Sequence, residues 1–343
     1  MSAETPFEKS SSLWQANYQQ AKLTENIIKG LCGFFAIISI VTTAGIIGTL
    51  IFETIEFFKE VPFWRFITDT RWTPLFTSQQ FGIFVLISAT LLTSSIAISM
   101  AVPLGLLSAI FLSEFASPNV RKVLKPILEV LAGIPSVVFG YFALLTVTPF
   151  LQAIFDFVRT PIEIPAWLDF LPFTNYYEPD YFLEIPFPFL QGFNALSAGL
   201  VLGISITPLV ASLSEDALYS VPQSLRDGAY AIGATKREVI TAVVIPGALS
   251  GIVASVILAI SRAVGETMIV TLAAGQNPTL GFNPFVPVMT MTAYIVQVSL
   301  GDTAVGTLPY KTIFAVGMTL FLMTLTLNIF SFWFVRRFRE RYE

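Results

Sequence analysis

Arg262 and Glu266 are the only charged residues between positions 239 and 301, a stretch otherwise made of apolar and neutral polar side chains. A charge at the middle of a bilayer costs about 3 kcal/mol, so such residues face protein or water rather than lipid. Their four-residue spacing predicts one shared helical face. Continued backwards, that face carries Ala259, Ser255 and Gly251, while Val253, Ile257, Ile260 and Val264 fall on the other side. A guanidinium presents a planar fork of donors suited to an oxyanion, and Glu266 is placed to hold the fork when no anion is bound. Arg262, Glu266 and Ser255 are therefore the candidate residues of a translocation pathway, the alternative for the charged pair being a structural ion pair that locks helices. At about 1.5 Å per residue from Pro246, Arg262 falls in the outer half of the membrane.

What is missing narrows the chemistry. The chain has no histidine and one cysteine, Cys32, which removes histidine metal sites, HExxH proteases, serine-histidine triads and any intrachain disulfide. Gly228 and Gly233 have the glycine spacing of a phosphate loop, but Ala234-Thr235-Lys236 follows where Lys-Ser/Thr is required. No catalytic residue, metal site or cofactor is expected. The chain is not an enzyme by this reading, and any ATP hydrolysis belongs to a partner subunit.

The elements that must position these residues are membrane helices. Hydrophobic residues make up 54% of the 343, charged residues only 12%, and the mean hydropathy is +0.73, which excludes nearly every soluble class. Runs free of Asp, Glu, Lys and Arg predict six spans, roughly 27–52, 82–113, 126–155, 194–213, 246–273 and 310–335. The expected fold class is all-α and polytopic, with a permease domain over 27–335, a cytoplasmic N-terminal segment over 1–26 and a basic cytoplasmic tail over 336–343. The first apolar run is too long for a signal-peptide core and reads as an uncleaved signal anchor.

Orientation follows from the basic residues. With the N-terminus inside, thirteen Lys and Arg fall on the inner segments, five on the outer ones, and Arg262 lies within a helix, so both termini are expected in the cytoplasm. An external loop over 156–193 holds Asp156, Glu163, Asp169, Glu178, Asp180 and Glu184 against Arg159, a net negative surface that repels free anions. It reads as an external cap, with partner docking as the alternative. Gly133, Pro135 and Gly140 predict a kink or close crossing in the third helix. Glu114, Arg121, Lys122 and Lys125 predict an inner-surface turn. Gln276, Asn277 and Asn283 lie in a Pro/Gly-rich outer loop that could serve as a gate.

The cytoplasmic loop 214–245 reads as punctuated helix. Ser214 caps a short helix opening Glu215-Asp216, Pro222 breaks it and Ser224 restarts it. Gly233 makes a bend, Lys236 and Arg237 follow, and Pro246 opens the next span. As bare physical chemistry, this is either a helix gripped by a partner or an amphipathic helix on the lipid surface.

Asp227-Gly228-Ala229, three residues, Gly233, nine residues, Val243, one residue, Ile245 and Pro246 reproduce in register the E-A-A-x3-G-x9-I-x-L-P signature of ABC-importer permeases. Asp for Glu, Gly for Ala, Val for Ile and Ile for Leu depart in residue type. Together with LSEFASPNVRKVLKPILEVLAGIPSVVFGYF at 112–142 and SRAVGETMIVTLAAG at 261–275, the chain resembles the PstC family of phosphate-importer permeases over about 82–335. That resemblance implies a type I ABC importer permease (MetI-like) fold in a bacterial plasma membrane. Asp227, Gly228, Ala229, Gly233, Lys236, Arg237 and Pro246 would then be the ATPase-coupling residues. The implied partners are a PstA-like second permease, PstB-like ATP-binding subunits and a PstS-like external phosphate-binding protein. Rival readings are an autonomous secondary transporter or channel, and a permease for another oxyanion such as sulfate.

Overall fold

A computed structural model of the chain describes residues 18–159, 162–163, 182–183 and 189–338. Residues 1–17, most of the acidic loop 156–193, and Arg339 and Arg341 of the basic tail lie outside the described residues.

Among the described residues six helical runs are long and apolar enough to cross a membrane. The first is α1 (Tyr18–Glu60), followed by the short α2 (Phe63–Thr68). The second is α3 (Ile83–Ile110), extended by a π turn at Phe111–Phe115. Next comes α4 (Pro118–Ala132), and then the third span, α5 (Ser136–Phe142), a π turn at Ala143–Val147 and α6 (Thr148–Arg159). The fourth span is α7 (Ala195–Tyr219). Two short helices, α8 (Gln223–Ala231) and α9 (Lys236–Val239), lead through a π turn at Ile240–Val244 into α10 (Ile245–Val264). The chain closes with α11 (Met268–Ala273), α12 (Met291–Leu300) and the sixth span α13 (Leu308–Phe338). Beyond the helices, two residues of each side of the acidic loop pair antiparallel, Ile162 with Leu183 and Glu163 with Phe182.

The fourth span is the axis of the bundle, with 61% of its apolar window buried against 28% or less for the others. Its closest neighbour is α3, and the sequence makes that approach possible. Ala89, Thr93, Ala97, Ala101, Gly105 and Ala109 recur every fourth residue of α3 and are all buried. On α7 a methyl group at Gly199 would stand 2.7 Å from the Ile96 Cβ, and one at Gly203 would stand 2.8 Å from the Ala97 carbonyl oxygen. Small residues in four-residue register let two backbones touch, which is what binds helices when lipid removes the hydrophobic drive. Asn194 starts α7 by accepting the Ser197 N–H at 2.7 Å.

A second cluster gathers aromatic rings at the far end of α1. Phe57 meets Phe66 and Phe81 edge to face, and Trp72 meets Tyr294 at 5.0 Å and 90°. A third cluster lies at the opposite end of the bundle, where Ala109, Leu218, Val221, Val239, Val244, Ala248 and Ile252 pack beneath α8 and α9.

Two predicted spans break into separate helices, the first of them at residues for which a kink was expected. The stretch 126–155 divides at Gly133, which ends α4, and Pro135, which precedes α5, so α4 is a separate amphipathic helix with no buried residue. Gly140, inside α5, is the close crossing: a side chain there would collide with Leu272 and the Met268 carbonyl of α11. The stretch 246–273 divides at Gly265, which caps α10 before α11 begins. The fourth span, by contrast, runs on past 213 to Tyr219.

Candidate functional site

The motif-bearing segment folds as a helical hairpin. α8 ends in a Schellman turn: Gly233 takes φ +88°, its N–H meets the Tyr230 carbonyl at 3.0 Å, and the Ala234 N–H reaches back to Ala229 at 3.2 Å. A residue with a Cβ is strained at that φ, which accounts for glycine there. Thr235 then opens α9 with a capping box, its hydroxyl accepting from the Glu238 N–H while the Glu238 carboxylate accepts from the Thr235 N–H at 2.7 Å.

The structure distributes the residues expected to couple to an ATPase between an outer and an inner side. Asp227 is exposed and accepts one bond, from the Gln223 amide at 3.1 Å. Nothing stands within 4 Å of where a side chain at Gly228 or Gly233 would begin, and Ile232 is 86% exposed beside them. Ala229 turns inward onto the apolar cluster under the hairpin. Lys236 lies 4.3 Å over the Phe115 ring, and Arg237 is exposed. Pro246 lies in the first turn of α10, as the sequence predicts, but that helix is no fresh start. It follows the π turn at Ile240–Val244 in a helical run that starts at Lys236, and the wider turn accommodates a residue without an N–H.

Beneath the hairpin is a set of charges that sequence reasoning divided between an inner-surface turn (Glu114, Arg121, Lys125) and the punctuated loop (Glu215, Asp216, Arg226). Glu215, fully buried, pairs with Arg121 and with Lys125 at 2.8 Å, and Lys125 also pairs with Asp216. The Arg121 guanidinium lies 3.7 Å over the Tyr219 ring. Arg226, 8% exposed, pairs with Glu114 and donates to the Leu218 carbonyl at 2.7 Å. Ser214 is accordingly no cap. It lies inside α7 with its hydroxyl 2.7 Å from that of Ser255, and the helix continues because Glu215 and Asp216 meet cations on α4. Burial pushes the Lys125 amine down, but hydrogen bonds to Asp216 and Glu215 outweigh it and hold the amine above the ordinary 10.5. The signal in the sequence was charge complementarity among three segments on one predicted face: acids at 114, 215 and 216, bases at 121, 125 and 226.

The three pathway candidates do not form the expected face. Ser255 is 2% exposed and is spent between α7 and α10, bonding Ser214 and the Ile252 carbonyl. Glu266 does not pair with Arg262, because α10 has ended at Val264. Its carboxylate accepts the Met268 and Ile269 N–H groups at 3.1 and 3.4 Å and so caps α11. Arg262 is exposed in the last turn of α10 and makes no ion pair among the described residues. The small-residue face behind it does meet protein: Ala259 is fully buried, and Gly251 lies directly against the Ala217 side chain.

At the end of the bundle opposite α8, Gln276 and Asn277 line a cleft of about 280 Å³ with Trp72, Thr73, Met289 and Gln297. Asn283 stands apart from it, its side chain accepting the Phe285 N–H at 3.0 Å. Among the described residues no group of His, Cys, Asp or Glu is arranged to hold a metal ion.

Residues 101–343 match the family described as "Binding-protein-dependent transport system inner membrane component". The chain is 33% identical over 309 residues to the Phosphate transport system permease protein PstC of Mesorhizobium japonicum, covering 90% of this chain and 89% of the relative. It is 32% identical to the PstC of Haemophilus influenzae over 90% and 91% of the two chains. Among solved structures, a chain of a bacterial ABC transporter involved in the import of the acidic polysaccharide alginate has the same fold, with TM-score 0.54, 19% identity and coverage of 96% of this chain and 100% of that one. The chain thus belongs to the family of binding-protein-dependent transport-system inner-membrane components, multi-pass membrane subunits that transport rather than catalyse and that work with an ATP-binding subunit and a substrate-binding protein.

Proposed function

We propose that this chain is the permease subunit of an ATP-driven phosphate importer, oriented with α8 in the cytoplasm. It would receive phosphate from an external PstS-like binding protein, and PstB-like ATP-binding subunits and a PstA-like second permease would complete the complex. The observation that carries the reading is the α8–Gly233–α9 hairpin, which offers an open outer side at Gly228, Ile232 and Gly233 while its inner side is fastened by ion pairs and apolar packing to the bundle. A helix docked in a groove of an ATPase needs that combination of free face and rigid back. Phosphate as the substrate rests on the names of the two relatives at 33% and 32% identity.

Within this reading Arg262 is the anion contact. It is exposed, pairs with no carboxylate among the described residues and occurs where a charge facing lipid is costly, all of which favour a water-filled or substrate-filled space on that side of α10. The bonding of Glu266 to the α11 backbone supports this reading over a structural ion pair.

The test is reconstitution in vesicles. The complete complex is expected to take up phosphate in an ATP-dependent way and to ignore sulfate, and this chain alone to take up neither. Uptake by the chain alone would establish an autonomous transporter, and equal uptake of sulfate would overturn the substrate.

A further inference from the structure

We propose that the coupling hairpin delivers its movement chiefly to the π turn Phe111–Phe115 at the end of α3, and that Arg226 is the positioning residue that makes the joint. The inference rests on the hairpin being the ATPase contact, and goes beyond it by naming where the motion enters the membrane domain.

Two side chains, one from each arm of the hairpin, converge on consecutive residues of that turn. Arg226 of α8 pairs with Glu114, and Lys236 of α9 lies over the ring of Phe115. The bend at Gly233 separates these arms in sequence, yet they grip adjacent residues of one turn. The Arg226 fork also donates to the carbonyl of Leu218 near the end of α7, so a single guanidinium joins α8, α3 and α7. The joint is dry: the side chains of Arg226 and Glu114 are 10% and 6% exposed. A pair withdrawn from water is hard to break from one side, because each charge is then left buried and uncompensated.

What lies beyond the joint can receive a push. A π turn holds an extra residue and is an adjustable point in a helix. α3 itself is in backbone contact with α7 at Gly199 and Gly203, so a shift of its end moves the two central helices together. The covalent route through α9 to α10 passes a π turn as well, at Ile240–Val244, but only the turn at Phe111–Phe115 is held by side chains from both arms of the hairpin. Arg226→Lys would keep the charge but replace two separate guanidinium nitrogens, one on Glu114 and one on the Leu218 carbonyl, by a single ammonium that must serve both.

The experiment uses the complete complex in vesicles and measures phosphate transported per ATP hydrolysed. Arg226→Lys is expected to lower that ratio about fivefold, within the range of a modest coupling free energy, while hydrolysis continues. Phe115→Leu, which keeps apolar bulk but removes the ring under Lys236, is expected to lower it about twofold. Lys122→Gln, a neutralisation on the exposed side of α4, is expected to match the wild type. Reduced yield of Arg226→Lys complex with an unchanged ratio would show a merely structural role and overturn the proposal. Should Arg226→Lys fail to assemble, Phe115→Leu, which leaves every ion pair in place, decides the matter: a wild-type ratio overturns the proposal and a reduced one supports it. A wild-type complex without ATP-dependent phosphate transport would refute the proposed function instead, before any variant is compared.

Discussion

Arg262 shows how much depends on where a helix stops. In sequence it is half of a pair four residues apart; in the structure Gly265 ends the helix first, and Glu266 turns to the backbone of α11. The guanidinium is left exposed without a carboxylate, the state in which it can take an oxyanion through its fork. A charge-assisted contact worth about 2 kcal/mol corresponds to roughly 30-fold in rate. Arg262→Ala is therefore expected to cut phosphate uptake by about that factor in vesicles holding equal amounts of assembled complex, with Arg262→Lys in between. Because Arg262 pairs with no carboxylate among the described residues, the melting temperature of the complex should hardly move, and normal uptake by Arg262→Ala would remove it from the pathway. The residue types and their chemistry were legible in the sequence. The separation of the pair was not, since Gly265 is compatible with a helix interior and only the return of α11 against Gly140 requires the chain to turn there.

At the scale of elements, α4 is the departure from expectation with the largest consequence. Its basic side chains were assigned to a turn, yet Arg121 and Lys125 clamp the buried Glu215 and hold α4 along the end of α7. Lys125 makes this tie sensitive to alkali. Its folded-state pKa lies above the unfolded value of 10.5, so the stabilisation is complete below about pH 10 and is lost as the pH rises through the raised value. The melting temperature of wild-type complex should fall more steeply above pH 10.5 than that of Lys125→Met, whose curve starts lower and lacks this component. Parallel curves would show that the Lys125 bonds do not hold the element. Helix positions were readable because about twenty apolar residues must span a bilayer. The α4 contacts were not, because ion pairing between segments 90 residues apart leaves no periodic trace.

For the molecule as a whole, α1 is the unfinished surface. Toward its end, Leu50, Thr54 and Phe57 turn toward α13 and the aromatic cluster, whereas Gly30, Gly33, Gly45 and Gly48 meet nothing within 4 Å. At 100° per residue the four glycines share about 120° of arc on the side away from α13. Glycine within a helix costs about 1 kcal/mol against alanine, and in membranes it recurs where a second helix packs closely. In the proposed complex that helix belongs to the second permease. Gly33→Leu and Gly48→Leu are expected to lower the yield of assembled complex severalfold while leaving membrane insertion of the chain intact, read by co-purification against total membrane-bound chain. Undiminished assembly would place the partner elsewhere. The sequence by itself determined the six-span, all-α class and the register of the coupling motif, because apolar length and residue spacing are local properties that lipid and helix geometry enforce. Only the tertiary structure decided that Glu266 caps rather than pairs, that Ser255 is spent between helices, and that Arg226 and Lys236 meet at one π turn, because each depends on which distant backbone arrives to satisfy a buried polar group.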